Sequence, residues 1–207
     1  MTEHVSDIAF TEAVKARQTR HGSREGYEKN IARRDWQSTV TDDLAAFVAQ
    51  RDSFYMASVS SDGHPYIQHR GGPRGFLKVL DDKTLGFADF SGNRQYISLG
   101  NFDGNDRVHL FLMDYANRQR IKLWGRAKVV ENDAELMERL VTEGYKARPE
   151  RAILIDVEAW DVNCPQHIPE LHGEETIRAV TAKLTQRIAQ LEAENAELKQ
   201  WMGKDAP

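Results

Sequence analysis

The chain has 207 residues, 29% of them charged, and a formal net charge of −4. That length supports one good core with an appendage, and the mildly negative balance excludes a global field that recruits nucleic acid. The single cysteine, Cys164, excludes an intrachain disulfide and fits a reducing, cytoplasmic setting; Met1–Phe10 has no apolar signal-type core, and no stretch approaches the ~18 apolar residues of a membrane span.

Residues 1–37 read as a polar arm in which Lys15, Arg17, Arg20, Arg24, Lys29, Arg33 and Arg34 outnumber Glu25 and Glu28. A short helix over Asp7–Gln18 is predicted, with Ile8, Val14 and Phe10 inward; the rest is either solvated or folded over a partner subunit or an anionic ligand. Thr41 is a good N-cap, and Asp42 and Asp43 suit the first turn of a helix ending near Gln50.

Three apolar runs follow, Phe54–Val59, Gly75–Leu80 and Leu85–Phe90, each bounded by turn residues and each predicted as a strand. Ser61-Asp62-Gly63 and Asp81-Asp82-Lys83 supply turns. Between the first two runs lies Gln68-His69-Arg70-Gly71-Gly72-Pro73, polar, cationic and glycine-rich where a strand belongs. A strand that gives up side chains lets something approach its backbone. Ser91-Gly92-Asn93-Arg94 opens a short helix through Phe102, with Gly100 near its end, and a helix N-terminus beside an arginine suits a phosphate.

Arg107–Asp114 and Arg120–Val130 alternate as strands, Asp133–Glu143 is an amphipathic helix, and Ala152–Trp160 is the last strand. Six short strands with turns between them argue a mainly β, antiparallel barrel, spanning residues 38–172, rather than a βαβ sheet. Residues 173–207 differ. Ile177, Leu184, Leu191 and Leu198 recur every seven residues as d positions, with Thr181, Ile188, Asn195 and Met202 as a positions, the pattern of a coiled-coil helix. A lone amphipathic helix is the competing reading.

Several motifs together resemble the pyridoxamine 5′-phosphate oxidase-like, FMN-binding split-barrel family. They are Phe54-x-x-Ala57-Ser58, Gly63-x-Pro65, Gln68 to Pro73, Ala88-Asp89-Phe90-Ser91-Gly92-Asn93-Arg94, and Arg120-Ile121 with Gly125 and Ala127. Trp160 to Ile168 is similar to the tail of an uncharacterised flavin-nucleotide-binding branch. The resemblance implies a six-stranded Greek-key split barrel and a homodimer with FMN in clefts between subunits. It places Gln68, His69, Arg70, Gly71 and Gly72 along the flavin, with Ala88 and Asp89 lining it. Asn93 and Arg94 would meet the phosphate, Arg120 would approach from a neighbouring strand, and Gln166 and His167 would close over the ring from a loop.

It also implies hydride or electron transfer from a reduced nicotinamide or another small substrate; a non-catalytic flavin- or haem-binding module is the alternative. The residues keep their simpler readings open. Arg70 and Arg94 are surface charges or ligand contacts, Asp89 caps a turn or lines the site, Arg120 pairs with Asp114 or touches flavin, and His69 is packed, solvated or a contact. No catalytic acid or base stands out. Cys164, His167 and His172 fit no closed zinc set. The oxidase's Arg-Lys phosphate pair is Asn93-Arg94 here, and its substrate-binding C-terminal motif has no counterpart.

Overall fold

A computed structural model describes residues 4–204, excluding the side chains of Met202, Gly203 and Lys204. The chain divides into two compact units. The first comprises residues up to 114 together with 119–166; the second comprises 115–118 and the residues from 167 onward.

The first unit opens with a 3-10 turn, Val5–Ile8, and two helices, α1 (Glu12–Arg20) and α2 (Arg24–Arg33). The single predicted helix over Asp7–Gln18 is therefore broken. Thr11 takes an extended backbone and accepts a hydrogen bond from the Val14 N–H, which restarts the helix. Nor is the arm solvated throughout. Phe10 packs on Trp36 at 5.2 Å, and Trp36 stacks on Trp124 of the sheet at 5.0 Å. Helix α3 (Asp42–Ala49) starts as the sequence predicts, with Thr41 capping the Leu44 N–H.

Seven antiparallel strands follow: β1 (Ser53–Val59), β2 (Pro65–Gly71), β3 (Lys78–Val79), β4 (Thr84–Phe90), β5 (Arg107–Asp114), β6 (Gln119–Val130) and β7 (Pro149–Val162). Their order across the sheet is β2-β1-β5-β6-β7-β4-β3, so the chain crosses from one edge to the other between β2 and β3 and returns to the strand beside β1 between β4 and β5, through α4 (Ile97–Gly104). This is the mainly β, Greek-key split barrel with flanking short helices that the sequence predicts, with one strand more than the six expected. The addition is β2, the polar segment itself. It pairs with β1 from Ser53 opposite Gly71 to Val59 opposite Pro65. The apolar run 75–80 contributes only two strand residues, because Phe76 and Leu77 are buried from a loop instead.

Alternation builds the core. Phe54, Met56 and Ser58 of β1 point inward, as do Val108, Leu110 and Leu112 of β5 and Ile121 and Leu123 of β6. Phe54 stacks on Phe76 at 5.5 Å and meets Phe87 of β4 edge-on at 5.4 Å, joining β1 to the far end of the sheet. Beneath β6, Gly125 passes so close to β7 that an added Cβ would lie 2.4 Å from the Asp156 carbonyl oxygen. The small residue there reflects a close backbone approach at a register shift.

Helix α5 (Ala134–Leu140) precedes β7 in the first unit, and the second unit carries α6 (Glu174–Lys204), 31 residues without a break. Met202, the fourth a position, falls outside the described side chains. No helix among the described residues is long and apolar enough to cross a membrane.

Candidate functional site

The open end of the barrel lies between β2, at one edge of the sheet, and β4 near the other. Along β2 the side chains alternate: Tyr66, Gln68 and Arg70 are half-buried, whereas Ile67 and His69 are exposed. The half-buried set lines a cleft with Asp89 and Phe90 of β4, the loop 92–96, the start of α4, and Glu150 and Arg151 of β7.

Charge organises this cleft. Arg70 donates to the Asp89 carboxylate at 2.5 Å, and Arg151 approaches its other oxygen at 3.5 Å. Arg151 also bonds Glu150 at 3.0 Å, and Arg94 lies 3.8 Å from the same carboxylate. Asp89 and Arg151 are direct cross-strand neighbours, a favourable register for opposite charges. With Asp89 only 7% exposed, the Arg70–Asp89–Arg151 cluster stands largely outside bulk solvent. Each carboxylate here has two guanidinium partners that offset part of its lost hydration. The lining holds three guanidinium groups and two carboxylates, and Glu131 adds a third carboxylate 3.6 Å from the Arg151 Nε.

The loop beside this cluster is shaped by its backbone. Arg94 and Tyr96 adopt left-handed conformations, with φ of 58° and 55°, each costing on the order of 1–3 kcal/mol for a non-glycine residue. Asn93 accepts the Gln95 N–H at 3.3 Å, an Asx-type turn, and the Ser91 N–H bonds the Arg148 carbonyl at 2.8 Å. Tyr96 caps α4 and lies under the Arg151 guanidinium, 5.4 Å from ring centre to Cζ. The helix thus begins at Ile97, later than the Ser91–Arg94 start expected, and continues past Gly100 to Gly104. Ser98 donates to the Gln68 side-chain oxygen at 2.9 Å, leaving the amide NH2 end as donor.

Gln68, Arg70, Asp89, Asn93 and Arg94 thus share one cleft. His69, Gly71 and Ala88 border a second recess beside it. His69 lies on the exposed face of β2 against Tyr55, and the Ala88 side chain packs with Leu140 and Ala152. Gly72 serves the fold. An added Cβ would meet the Phe76 ring at 2.7 Å, and its N–H is already given to the Asp52 carbonyl. Asp89 binds two arginines rather than capping the turn 91–94. Arg120 sits on β6 opposite Met113, outside the cleft lining, with its Nε buried and unpartnered. Arg51 holds Asp114 at 2.7 Å, the acid expected to compete for Arg120. Gln166 belongs to the first unit but does not line the cleft, and His167 belongs to the second unit.

Arg151, Glu150, Tyr96 and Ser98 join the site without having been singled out from sequence. Arg151 stands immediately before the apolar run 152–155, and only the β4–β7 register reveals that it faces Asp89. Among the described residues, no group of three or more His, Cys, Asp or Glu side chains is placed to hold a metal ion.

Comparison with known proteins fits this architecture. An FMN-binding protein from Syntrophomonas wolfei subsp. wolfei superposes with a TM-score of 0.50 at 12% identity, over 70% of this chain and 97% of that one. HupZ from Group A Streptococcus gives a TM-score of 0.48 at 19% identity, over 64% and 98%. General Stress Protein 26 from Bacillus anthracis str. Sterne gives 0.44 at 17% identity, over 57% and 89%. At 12% identity the likeness to the Syntrophomonas wolfei protein is one of fold alone. No curated protein matches the sequence. The family model for pyridoxamine 5′-phosphate oxidase matches residues 40–164, which contain the whole barrel and every residue lining the cleft, and the chain belongs to that family.

Proposed function

We propose that the chain binds FMN in the cleft between β2 and β4 and works as an FMN-dependent oxidoreductase. It would pass hydride or electrons between a reduced nicotinamide, or another small substrate, and an acceptor. The observation that carries this reading is the convergence of three guanidinium groups, Arg70, Arg94 and Arg151, on one cleft. The Nε of Arg70 is buried without a hydrogen-bond acceptor, whereas that of Arg151 lies 3.6 Å from the Glu131 carboxylate. An unmet buried donor costs about 1–3 kcal/mol, which an anionic ligand oxygen at Arg70 would relieve. Arg94 and Asn93 on the strained loop would hold the phosphate, Arg70 and Gln68 the ring edge, and Asp89 would keep Arg70 and Arg151 in place. FMN supplies the electron chemistry when bound, and the chain supplies position and charge.

A homodimer completes this reading. Tyr55 is 38% exposed and Ile67 63% exposed on the outer face of β1 and β2, and burying such side chains against a second copy is favourable. The exposed free thiol of Cys164 supports a reducing, cytoplasmic setting.

One observation favours a second reading, a non-catalytic module that holds flavin or haem as a store or sensor. Both cleft carboxylates, Asp89 and Glu150, are engaged by arginines of the cleft itself. The deciding experiment mixes FMN-loaded protein anaerobically with reduced nicotinamide. Bleaching of the oxidised flavin faster than that of free FMN supports the oxidoreductase. No acceleration with any small reductant favours the store.

A further inference from the structure

Helix α6 displays its apolar stripe without covering it. Ile177, Leu184, Ile188, Leu191 and Leu198 are 46–60% exposed along a single unbroken helix. Soluble chains rarely leave a regular row of large aliphatic side chains in water. The row is a heptad seam, with leucine at three of four d positions. We propose that α6 is a pairing helix whose occupant is a second copy of the same helix, parallel and in register, forming a two-stranded coiled coil.

Orientation follows from the polar residues. In a parallel pair Asn195 meets Asn195 of the second copy across the seam, where two amides satisfy each other. Arg187 at g faces Glu192 at e of the other strand, and Glu194 at g faces Lys199 at e. In an antiparallel pair aligned over its full length, Asn195 would face Leu184 and bury an unpaired amide. Lys199 would also meet Arg178, a like-charge contact. Leucine at d with a single asparagine at a favours two strands over three. The absence of a basic stretch over Glu174–Lys183 separates this pair from a DNA-gripping zipper.

The inference does not rest on flavin binding, and its test reads the helix alone. Leu184→Cys and Leu198→Cys are made separately in full-length Cys164→Ser protein and oxidised mildly, with and without FMN. Matching d side chains of a parallel pair meet across the seam, within the short Cβ–Cβ reach of a disulfide. Each variant alone should become mostly covalent dimer, to the same extent with and without FMN. Ala193→Cys, on the outward f position, should stay largely uncoupled. Failure of both seam variants to couple overturns the proposal. So does coupling only in a mixture of Leu184→Cys with Asn195→Cys, the antiparallel result, or equal coupling of Ala193→Cys.

Discussion

Replacing Arg94 with alanine separates ligand binding from stability. The Arg94 side chain is 62% exposed, and its one described ion pair, to Glu150, spans 3.8 Å. An exposed pair of that kind contributes about 0–1 kcal/mol to folding, so the urea midpoint of Arg94→Ala should stay close to wild type. A charge-assisted hydrogen bond to a ligand phosphate is worth about 1.5–3 kcal/mol, which converts to a roughly ten- to hundredfold loss of FMN affinity. The assay is a titration followed by quenching of FMN fluorescence, run beside urea unfolding. Arg94→Gly supplies a control, since glycine adopts a φ of 58° without strain. It should lose the same affinity while being no less stable than Arg94→Ala. Unchanged affinity in both variants, or an affinity loss that merely follows lost stability, refutes the placement of Arg94 at the phosphate.

Other perturbations test the surrounding structure. Asp89→Asn leaves Arg70 and Arg151 without their shared counter-charge at a site with side-chain exposures of 9–14%; urea unfolding should show a loss of about 3–5 kcal/mol. Gly72→Ala pushes a methyl group into the Phe76 ring and should destabilise by about 1–3 kcal/mol. Gly71→Ala meets only the end of the His69 side chain at 3.1 Å and should unfold at nearly the wild-type urea concentration. Burial, then the nearby Lys122 cation, holds the His109 pKa below its ordinary 6.5. The unfolded chain therefore binds the proton more readily. The His109 contribution is complete above pH 6.5 and is lost as pH falls toward the lowered folded value. Urea midpoints across that range should fall more for wild type than for His109→Phe.

Much of this molecule is legible in its sequence because two-residue alternation survives in β1, β5 and β6, and because Thr41 announces α3. The shortfalls have physical causes. Strand β2 carries no apolar run, since its half-buried face serves the cleft with Gln68 and Arg70 while Ile67 and His69 face outward. Phe76 and Leu77 read as strand residues because they are apolar, yet a loop buries them as well as a strand would. Arg151 is invisible until register sets it beside Asp89, 62 positions earlier in the chain. Gly71-Gly72 reads as one feature for backbone approach, but Gly72 makes room for Phe76. The motif that survives best is the one with charge, in which Arg70, Asp89, Asn93 and Arg94 come from separate elements to one cleft.

The most direct measurement is the visible absorption spectrum of the protein, taken as purified and again after incubation with FMN and desalting. The account predicts the two-banded spectrum of a bound oxidised flavin in wild type, and a markedly weaker one in Arg94→Ala after the same desalting. A colourless protein that retains no FMN would contradict it, as would the single intense band of a haem in the preparation that takes up no flavin.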